Sequence, residues 1–208
     1  NIPMIVFINK LDREGKDAFD LMDEVEQKLK LRVTPLSFPI GMGYDFQGIY
    51  NIWEKNINLF EGDSRKNIEE TIAFDDINNP ELEKIIGEKP ANRLREELEL
   101  IEEVYPAFSR EEYLAGDLQP VFFGSALNNF GVRELLDCFV EIAPTPRAKE
   151  SDTRLVHPEE EKLSGFVFKI HANMDPKHRD RLAFIKIVSG TFEKNKPYLH
   201  VRLGKNLK

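Results

Sequence analysis

The sequence predicts an α/β domain with a largely parallel sheet, followed by the first strands of an all-β domain. In residues 1–147, short apolar strands alternate with amphipathic helices, a pattern typical of a parallel sheet covered by helices. Residues 163–208 are rich in Phe, Ile and Val and show no helical periodicity. Residues 148–162 are charged and nearly free of apolar side chains, so we expect a linker there.

The first strand is expected at residues 4–8, a continuous apolar run that ends in polar residues. An amphipathic helix is predicted over residues 17–31. Its buried face is expected to hold Met22, Val25 and Leu29. The segment RVTPLSFPIGMG (residues 32–43) predicts a second strand near a sheet edge, because its two prolines cannot donate backbone hydrogen bonds.

The segment IYNIWEKNINLFEG predicts a β-rich excursion closed by Gly62. Residues 80–105 are rich in Glu and Leu and predict a helix. One face of that helix should hold Leu94, Leu98 and Ile101. Residues 109–112, SREE, fit a capping box that begins another helix. PVFFGSA then predicts a short apolar strand, and GVRELLDCFVEIA predicts a helix that ends at the following prolines.

Beyond the linker, LSGFVFKI, RLAFIKIVSGTF and PYLHVRLG predict three strands. Three strands leave open edges, so we expect the start of a β-barrel or sandwich that this sequence does not close.

The composition is that of a globular protein, with 41% hydrophobic residues, 15 Phe and 32% charged residues. No apolar stretch approaches the ~18 residues of a membrane helix, and we expect a cytoplasmic protein. The single Cys138 lies at helical spacing from apolar neighbours and is predicted to be a core residue.

Charge is distributed unevenly along the chain. The formal net charge is −8, but residues 163–208 carry ten Lys and Arg against three Asp and Glu, a net of +7. Residues 1–162 therefore carry −15. This asymmetry predicts two modules, the second of which meets an anionic partner.

The stretch Asn9-Lys10-Leu11-Asp12 follows the first strand, and open α/β sheets bind ligands at the carboxyl ends of their strands. Guanine presents two adjacent donors, N1–H and N2–H2, and the two oxygens of Asp12 can accept both. Adenine has no such donor pair, so this carboxylate would select guanine. Asn9 can donate to the base N7 and join neighbouring loops, and the Lys10 stem can lie across the ring.

Guanine O6 needs a donor from a second loop. Gly124-Ser125-Ala126 ends the other apolar strand, and its small residues allow backbone N–H groups to come close. The predicted guanine pocket therefore consists of Asn9, Lys10, Asp12, Ser125 and Ala126. The alternative is that Asp12 only begins a helix and Asn9 lies in a turn.

No G-x-x-x-x-G-K-[ST] sequence occurs, so no residue is predicted to hold nucleotide phosphates. Gly41-Met42-Gly43 lacks a lysine, and we interpret it as a turn. Two D-x-x-G strings, at residues 12–15 and 45–48, are not assigned to magnesium. The first Asp is assigned to the base, and the second lies in the β excursion. No catalytic residue and no metal ligand is predicted in this sequence.

NKLDREG, FGSALNNFGV, the linker and the following strands resemble the translational GTPases over essentially the whole chain. PIGMGYDFQGIYN, FGSALNNFGVRELLD and SGFVFKIHANMDPKHRDRLAFIKIVSGTF are most similar to family members that act in translation termination. The resemblance implies a GTPase that uses GTP or GDP and Mg2+. It also implies a monomer that binds the ribosome and promotes departure of class-I peptide release factors.

The resemblance assigns base reading to Asn9, Lys10 and Asp12, and backbone contact with guanine to Ser125 and Ala126. It places the P-loop, the switch threonine and the water-orienting histidine upstream of Asn1. The chain is thus expected to be a fragment: the C-terminal half of a P-loop GTPase G domain, then the start of a barrel. Such a fragment should not hydrolyse GTP by itself. The four histidines do not follow an Asp-x-x-Gly and receive no role. They are His157, His171, His178 and His200.

In the basic loop HANMDPKHRDR, Lys177, Arg179 and Arg181 can contact ribosomal RNA phosphates or lie in a solvated hairpin loop. Two other functions stay open for the whole protein. One is an elongation factor G-like or tetracycline-resistance ribosomal protection GTPase. The other is a ribosome-binding module that has lost the nucleotide.

Overall fold

The structure, a computed structural model, describes residues 2–60, 70–74, 76–172 and 181–207. Its contacts divide the chain into two compact units, Asn1–Pro144 and Thr145–Lys208. Among the described residues, no helix is long and apolar enough to cross a membrane. Gly62, which was expected to close the β excursion, lies outside the described residues.

The strands of the first unit are β1 (Val6–Ile8), β2 (Arg32–Pro35), β3 (Ser37–Ile40), β4 (Gly48–Asn51), β5 (Asn56–Leu59), β6 (Glu70–Ala73) and β7 (Leu118–Phe123). Its α-helices are α1 (Ala18–Leu29), α2 (Glu81–Ile86), α3 (Glu88–Val104), α4 (Arg110–Ala115) and α5 (Val132–Ile142). A short 3₁₀ turn covers Gly43–Asp45.

A parallel three-stranded sheet has the order β1-β7-β2. The central strand β7 is buried along its whole length, and the apolar run PVFF predicts this for residues 120–123. Ile8 is paired with Phe123, so β1 and β7 end at the same edge of the sheet. The prediction of a parallel sheet is confirmed for these strands, and this shared edge positions the candidate site.

The prediction of one strand over residues 32–43 was wrong, because the structure forms two. β2 is an edge strand of the parallel sheet, and β3 is an edge strand of an antiparallel sheet of order β3-β4-β5-β6. Leu36 separates them: its N–H donates to the Val121 carbonyl (2.9 Å), and its carbonyl accepts from Ile52 N–H (2.9 Å). Pro35 and Pro39 both lie in edge strands, where the missing backbone N–H of a proline removes the fewest hydrogen bonds between strands.

Asp17 caps the N-terminus of helix α1, and its carboxylate accepts from the Phe19 N–H at 2.9 Å. Met22 is buried on the expected face and Val25 is half-buried. Leu29 was wrongly placed there and is 61% exposed, since the helix ends at that residue and Lys30 turns left-handed at φ 56°.

The helix expected over residues 80–105 is divided into α2 and α3 at Gly87, which has φ 94° and ψ 155°. Leu94 and Ile101 are buried as predicted, and Leu98 is half-buried against the core. The capping box is confirmed in part, because Ser109 Oγ accepts from the Glu112 N–H at 3.3 Å.

Two apolar clusters lie on opposite sides of β7. Phe123 belongs to the larger one, with side chains from α1, α3 and the antiparallel sheet. Its neighbour Phe122 belongs to the smaller one, with Tyr113 and the buried Cys138. This alternation follows from the two-residue period of a strand. The prediction that Cys138 is a core residue is confirmed.

The second unit contains β8 (Lys149–Glu150), β9 (Leu155–Val156), β10 (Ser164–Ala172), β11 (Arg181–Ser189), β12 (Tyr198–His200) and β13 (Lys205–Leu207). These strands pair antiparallel as β8-β9, β10-β11 and β12-β13. The first pair lies within residues 148–162, so that segment holds a small hairpin in addition to its loops. Arg154 forms two 2.7 Å hydrogen bonds with Glu160 beside it.

The strand predicted from PYLHVRLG was too long. It ends at His200 and continues as a 3₁₀ helix at Val201–Leu203. The His200 Nδ1 accepts from the Leu203 N–H at 3.3 Å, which stabilises the turn instead of an extended chain. Gly204 then reverses the direction toward β13.

Candidate functional site

Two loops meet at the shared edge of β1 and β7. We call residues 9–12 the NKLD loop and residues 124–130 the SA loop. Gly124 N–H donates to the Ile8 carbonyl at 3.0 Å, and Leu11 N–H donates to the Gly124 carbonyl at 3.2 Å. The structure thus brings together the two segments from which the sequence predicts a base pocket.

Asn9 joins these two loops through one atom. Its carboxamide oxygen accepts from the Ala126 N–H and from the Lys10 N–H, each at 2.8 Å. Lys10 has a left-handed backbone, with φ 74°. Asn9 therefore connects the loops as the sequence predicts, and its amide nitrogen keeps its donors for another partner.

Asp12 carries a buried oxygen with no hydrogen-bond donor among the described residues. Its other oxygen lies 3.9 Å from the Arg13 Nε, and the side chain is 20% exposed. The hydroxyl oxygen of Ser125 is also buried without a hydrogen-bond partner in the described part of the chain. A buried polar atom without a partner costs about 1–3 kcal/mol. The pocket is thus prepared for a ligand that brings donors to Asp12.

The sequence assigns the backbone N–H groups of Ser125 and Ala126 to guanine O6, but both already donate to other groups of the protein. Ser125 and Phe130 exchange two backbone hydrogen bonds of 2.9 Å, and the Ala126 N–H is bonded to Asn9. A base would have to share or replace these acceptors. The roles of Ser125 and Ala126 in base contact therefore stay predictions.

Leu127 follows Ala126 in the SA loop and is 82% exposed, which the sequence pattern did not predict. We assign it no contact with a ligand.

Two glycines allow the SA loop to close on itself. A Cβ on Gly124 would lie 2.2 Å from the Phe130 carbonyl oxygen. A Cβ on Gly131 would lie 2.2 Å from the Phe123 carbonyl oxygen, and Gly131 also has φ 72°. Both positions exclude a side chain, so the loop ends with two backbone segments in close contact.

Side chains that flank strands β4 and β5 support the SA loop, and the turn before β4 contacts the NKLD loop through its backbone. The sequence did not reveal these contacts. Phe130 packs against Phe46 and Phe60, at ring-centroid distances of 5.3 and 5.6 Å. Behind this contact, Asn58 Nδ2 donates to the buried Glu134 Oε1 at 2.5 Å. The predicted turn at residues 41–43 forms and touches the NKLD loop, since the Gly43 N–H donates to the Leu11 carbonyl at 3.0 Å.

A polar hollow of about 300 Å³ adjoins the NKLD loop, between Gly15 and Met42. Arg93 on its wall donates to Glu97 at 2.7 Å and lies 3.5 Å from Asp17. Burial raises the pKa of the Glu97 carboxyl, and the Arg93 guanidinium opposes that rise. These ion pairs involve Arg93, Asp17 and Glu97 of the hollow, and we assign it no ligand.

The described residues contain no group of three or more His, Cys, Asp or Glu that could hold a metal ion. None of them is therefore assigned to magnesium. In the basic loop, Lys177, His178 and Arg179 lie outside the described residues. Arg181 is the first residue of β11 and is exposed, so its contact with RNA stays a prediction.

Comparison with known protein families gives two matches. Residues 1–145 match the family described as the elongation factor Tu GTP binding domain. Residues 162–208 match the family described as elongation factor G domain 2. The first match covers both loops of the candidate pocket and most of the chain.

Proposed function

The chain belongs to the translational GTPases, the family of the elongation factor Tu GTP-binding domain, and from this we propose that its pocket reads the guanine base of GTP or GDP. The observation that carries the proposal is the buried oxygen of Asp12 that has no donor among the described residues. The family implies use of a guanine nucleotide and interaction with the ribosome in general.

In the proposed complex, the Asp12 carboxylate accepts from guanine N1–H and N2–H2. These bonds are charge-assisted, and the base supplies the donor that the buried Asp12 oxygen lacks. The carboxamide oxygen of Asn9 keeps its bonds to the Ala126 and Lys10 N–H groups, and its amide N–H donates to the base N7. The aliphatic stem of Lys10 covers one face of the ring, and the backbone at Ser125 and Ala126 faces O6.

Nuclear magnetic resonance titration of the 208-residue chain tests this proposal. With millimolar GMP, the amides of the NKLD and SA loops should shift, whereas AMP should leave them unchanged. In Asp12→Asn the preference should change from GMP to XMP, because xanthine presents an oxygen acceptor where guanine has its N2 donor.

The matched control is Asp45→Asn, which removes an exposed carboxylate on the 3₁₀ turn near the pocket. It should keep the preference for GMP over both other nucleotides. Equal shifts with AMP and GMP in the original chain, or an Asp12→Asn variant that still prefers GMP, would show that Asp12 does not read the base.

For the whole protein we propose the role of peptide chain release factor 3, a GTPase of translation termination. It would promote dissociation of class-I release factors from the ribosome in the cytoplasm, with Mg2+ as the metal of GTP hydrolysis. The support is the resemblance of residues 39–51, 123–137 and 164–192 to the termination members of the family. The two family matches fit this role and fit an elongation factor G-like role equally.

A ribosome assay with the complete protein that contains these residues separates the candidates. GTP-dependent release of a labelled class-I factor from post-termination ribosomes is the expected result. Translocation or displacement of tetracycline would instead assign the protein to the elongation or ribosomal protection members. Ribosome binding that does not respond to any guanine nucleotide would identify a module that has lost the nucleotide.

A further inference from the structure

Three aromatic rings from distant parts of the first unit pack together behind the SA loop. We call Phe46, Phe60 and Phe130 the aromatic trio. Their ring centroids are separated by 5.3 to 5.8 Å, and Phe130 meets both other rings edge-on, at 88° and 85°. Phe46 precedes β4 and Phe60 follows β5, so the hairpin β4–β5 supplies two of the three rings.

Phe130 is attached directly to the predicted base contact. Its N–H donates to the Ser125 carbonyl, and its carbonyl accepts from the Ser125 N–H, both at 2.9 Å. The next residue, Ala126, is bonded to Asn9. A displacement of the Phe130 ring would therefore move the backbone that faces the ligand.

The same hairpin is joined to the site at a second buried point. Asn58 on β5 donates to Glu134 in the first turn of α5, and both residues are buried. Glu134 lies three residues after Gly131, where the SA loop closes. The hairpin thus contacts the SA loop through the rings around Phe130. It also contacts helix α5, which follows the SA loop, through the bond between Asn58 and Glu134.

We propose that the hairpin β4–β5 is a positioning element for the base pocket, and that Phe46 and Phe60 act on the ligand through Phe130. This inference rests on the proposed function of the pocket. None of these rings is assigned to the base itself. Edge-on aromatic pairs have a preferred geometry, so the trio fixes the orientation of Phe130 as well as burying it.

The test replaces one ring at a position outside both loops. Phe46→Leu removes an edge-on partner of Phe130 and leaves the chemistry of the pocket unchanged. The matched control is Phe74→Leu, a buried phenylalanine of the same core that follows β6. Amide hydrogen exchange of Ser125, Ala126 and Phe130 is measured in the 208-residue chain without ligand.

We expect Phe46→Leu to speed exchange at these three amides by about tenfold relative to Phe74→Leu, because the loop opens locally. The ratio of GMP to AMP shifts should fall in the same variant and stay unchanged in the control. Equal effects of the two substitutions on exchange would show that the trio contributes only to general packing, and the proposal would be wrong.

The ligand-free exchange measurement separates this inference from the proposed function. If the original chain does not distinguish GMP from AMP, the function fails, and the exchange result still decides whether the hairpin holds the loop. If Phe46→Leu does not fold, Phe60→Leu takes its place, since Phe60 is only half-buried and loses less packing. Unchanged loop exchange in that variant also overturns the proposal.

Discussion

The site residues show how far single residues could be predicted. Asn9, Asp12 and Ser125 follow two apolar strands, so a parallel sheet necessarily brings them to one edge. The partners of the Ser125 and Ala126 N–H groups could not be predicted. They depend on the closure of the SA loop at Phe130 and on the rotamer of Asn9. Neither has a periodic signature in the sequence.

Cys138 gives a prediction at the same scale. Burial, followed by the charges of Glu141 and Glu54, raises the pKa of its thiol from the ordinary 9.0 to about 12. Since the thiolate is the reactive form, we expect no alkylation by iodoacetamide at pH 8 in the folded chain. Rapid alkylation should appear in guanidinium chloride. Labelling of the native chain at the unfolded rate would contradict the buried position.

The same thiol affects stability at high pH. The folded state holds it protonated, so its contribution is complete below pH 9 and is lost as pH rises toward 12. At pH 10, the original chain should lose roughly 1 kcal/mol more of its free energy of unfolding than Cys138→Ala does. Urea unfolding of both proteins at pH 7 and pH 10 gives this difference, and a parallel loss in the two would contradict it.

At the scale of elements, local patterns identified the helices better than the sheet pairings. The cap of α4 depends on Ser109 and its near neighbours and was predictable from the sequence. The order β3-β4-β5-β6 was not predictable, because pairing joins segments through turns whose geometry the residue pattern does not specify. The aromatic trio depends on that pairing, so it could be recognised only in the folded chain.

The division between α2 and α3 provides an element-scale prediction. Gly87 has φ 94°, a conformation in which a Cβ is strained although the nearest atom, Pro90 Cδ, would lie 3.7 Å away. Gly87→Ala should therefore lower the free energy of unfolding by about 1 kcal/mol. The control is Gly15→Ala, where φ is not in the left-handed region and the new Cβ would lie 3.8 Å from Met42 Sδ. Urea midpoints should fall for the first variant only.

At the scale of the whole molecule, the proposed base pocket and the excess positive charge lie in different parts of the chain. Both loops of the proposed pocket belong to the first unit, and the positive charge is concentrated toward the carboxyl end of the sequence. The order of an α/β domain followed by β strands could be predicted from periodicity alone. The hairpin β8–β9 could not, because it lies within a segment of linker composition and its turn is closed by hydrogen bonds between Ser151 and Arg154.

The activity of the 208 residues is a prediction at this scale. Their sequence has the motif for which we propose base reading and no G-x-x-x-x-G-K-[ST], so we expect no cradle for the phosphates of GTP within these residues. We expect no hydrolysis of GTP and no tight binding of it by this chain. Phosphate release and calorimetric titration measure these two quantities. Steady release above the protein-free rate, or tight binding of GTP, would contradict the expectation.

The central position of β7 also determines the order of events during synthesis. The bond between Asn9 and Ala126 joins residues 117 positions apart, and Val6 on β1 pairs with Val121 on β7. At the usual pace of translation, β1 must wait roughly ten seconds for its partner strand. Contacts of such high sequence separation also slow folding after release. The two loops of the proposed pocket can therefore meet only after β7 has been synthesised.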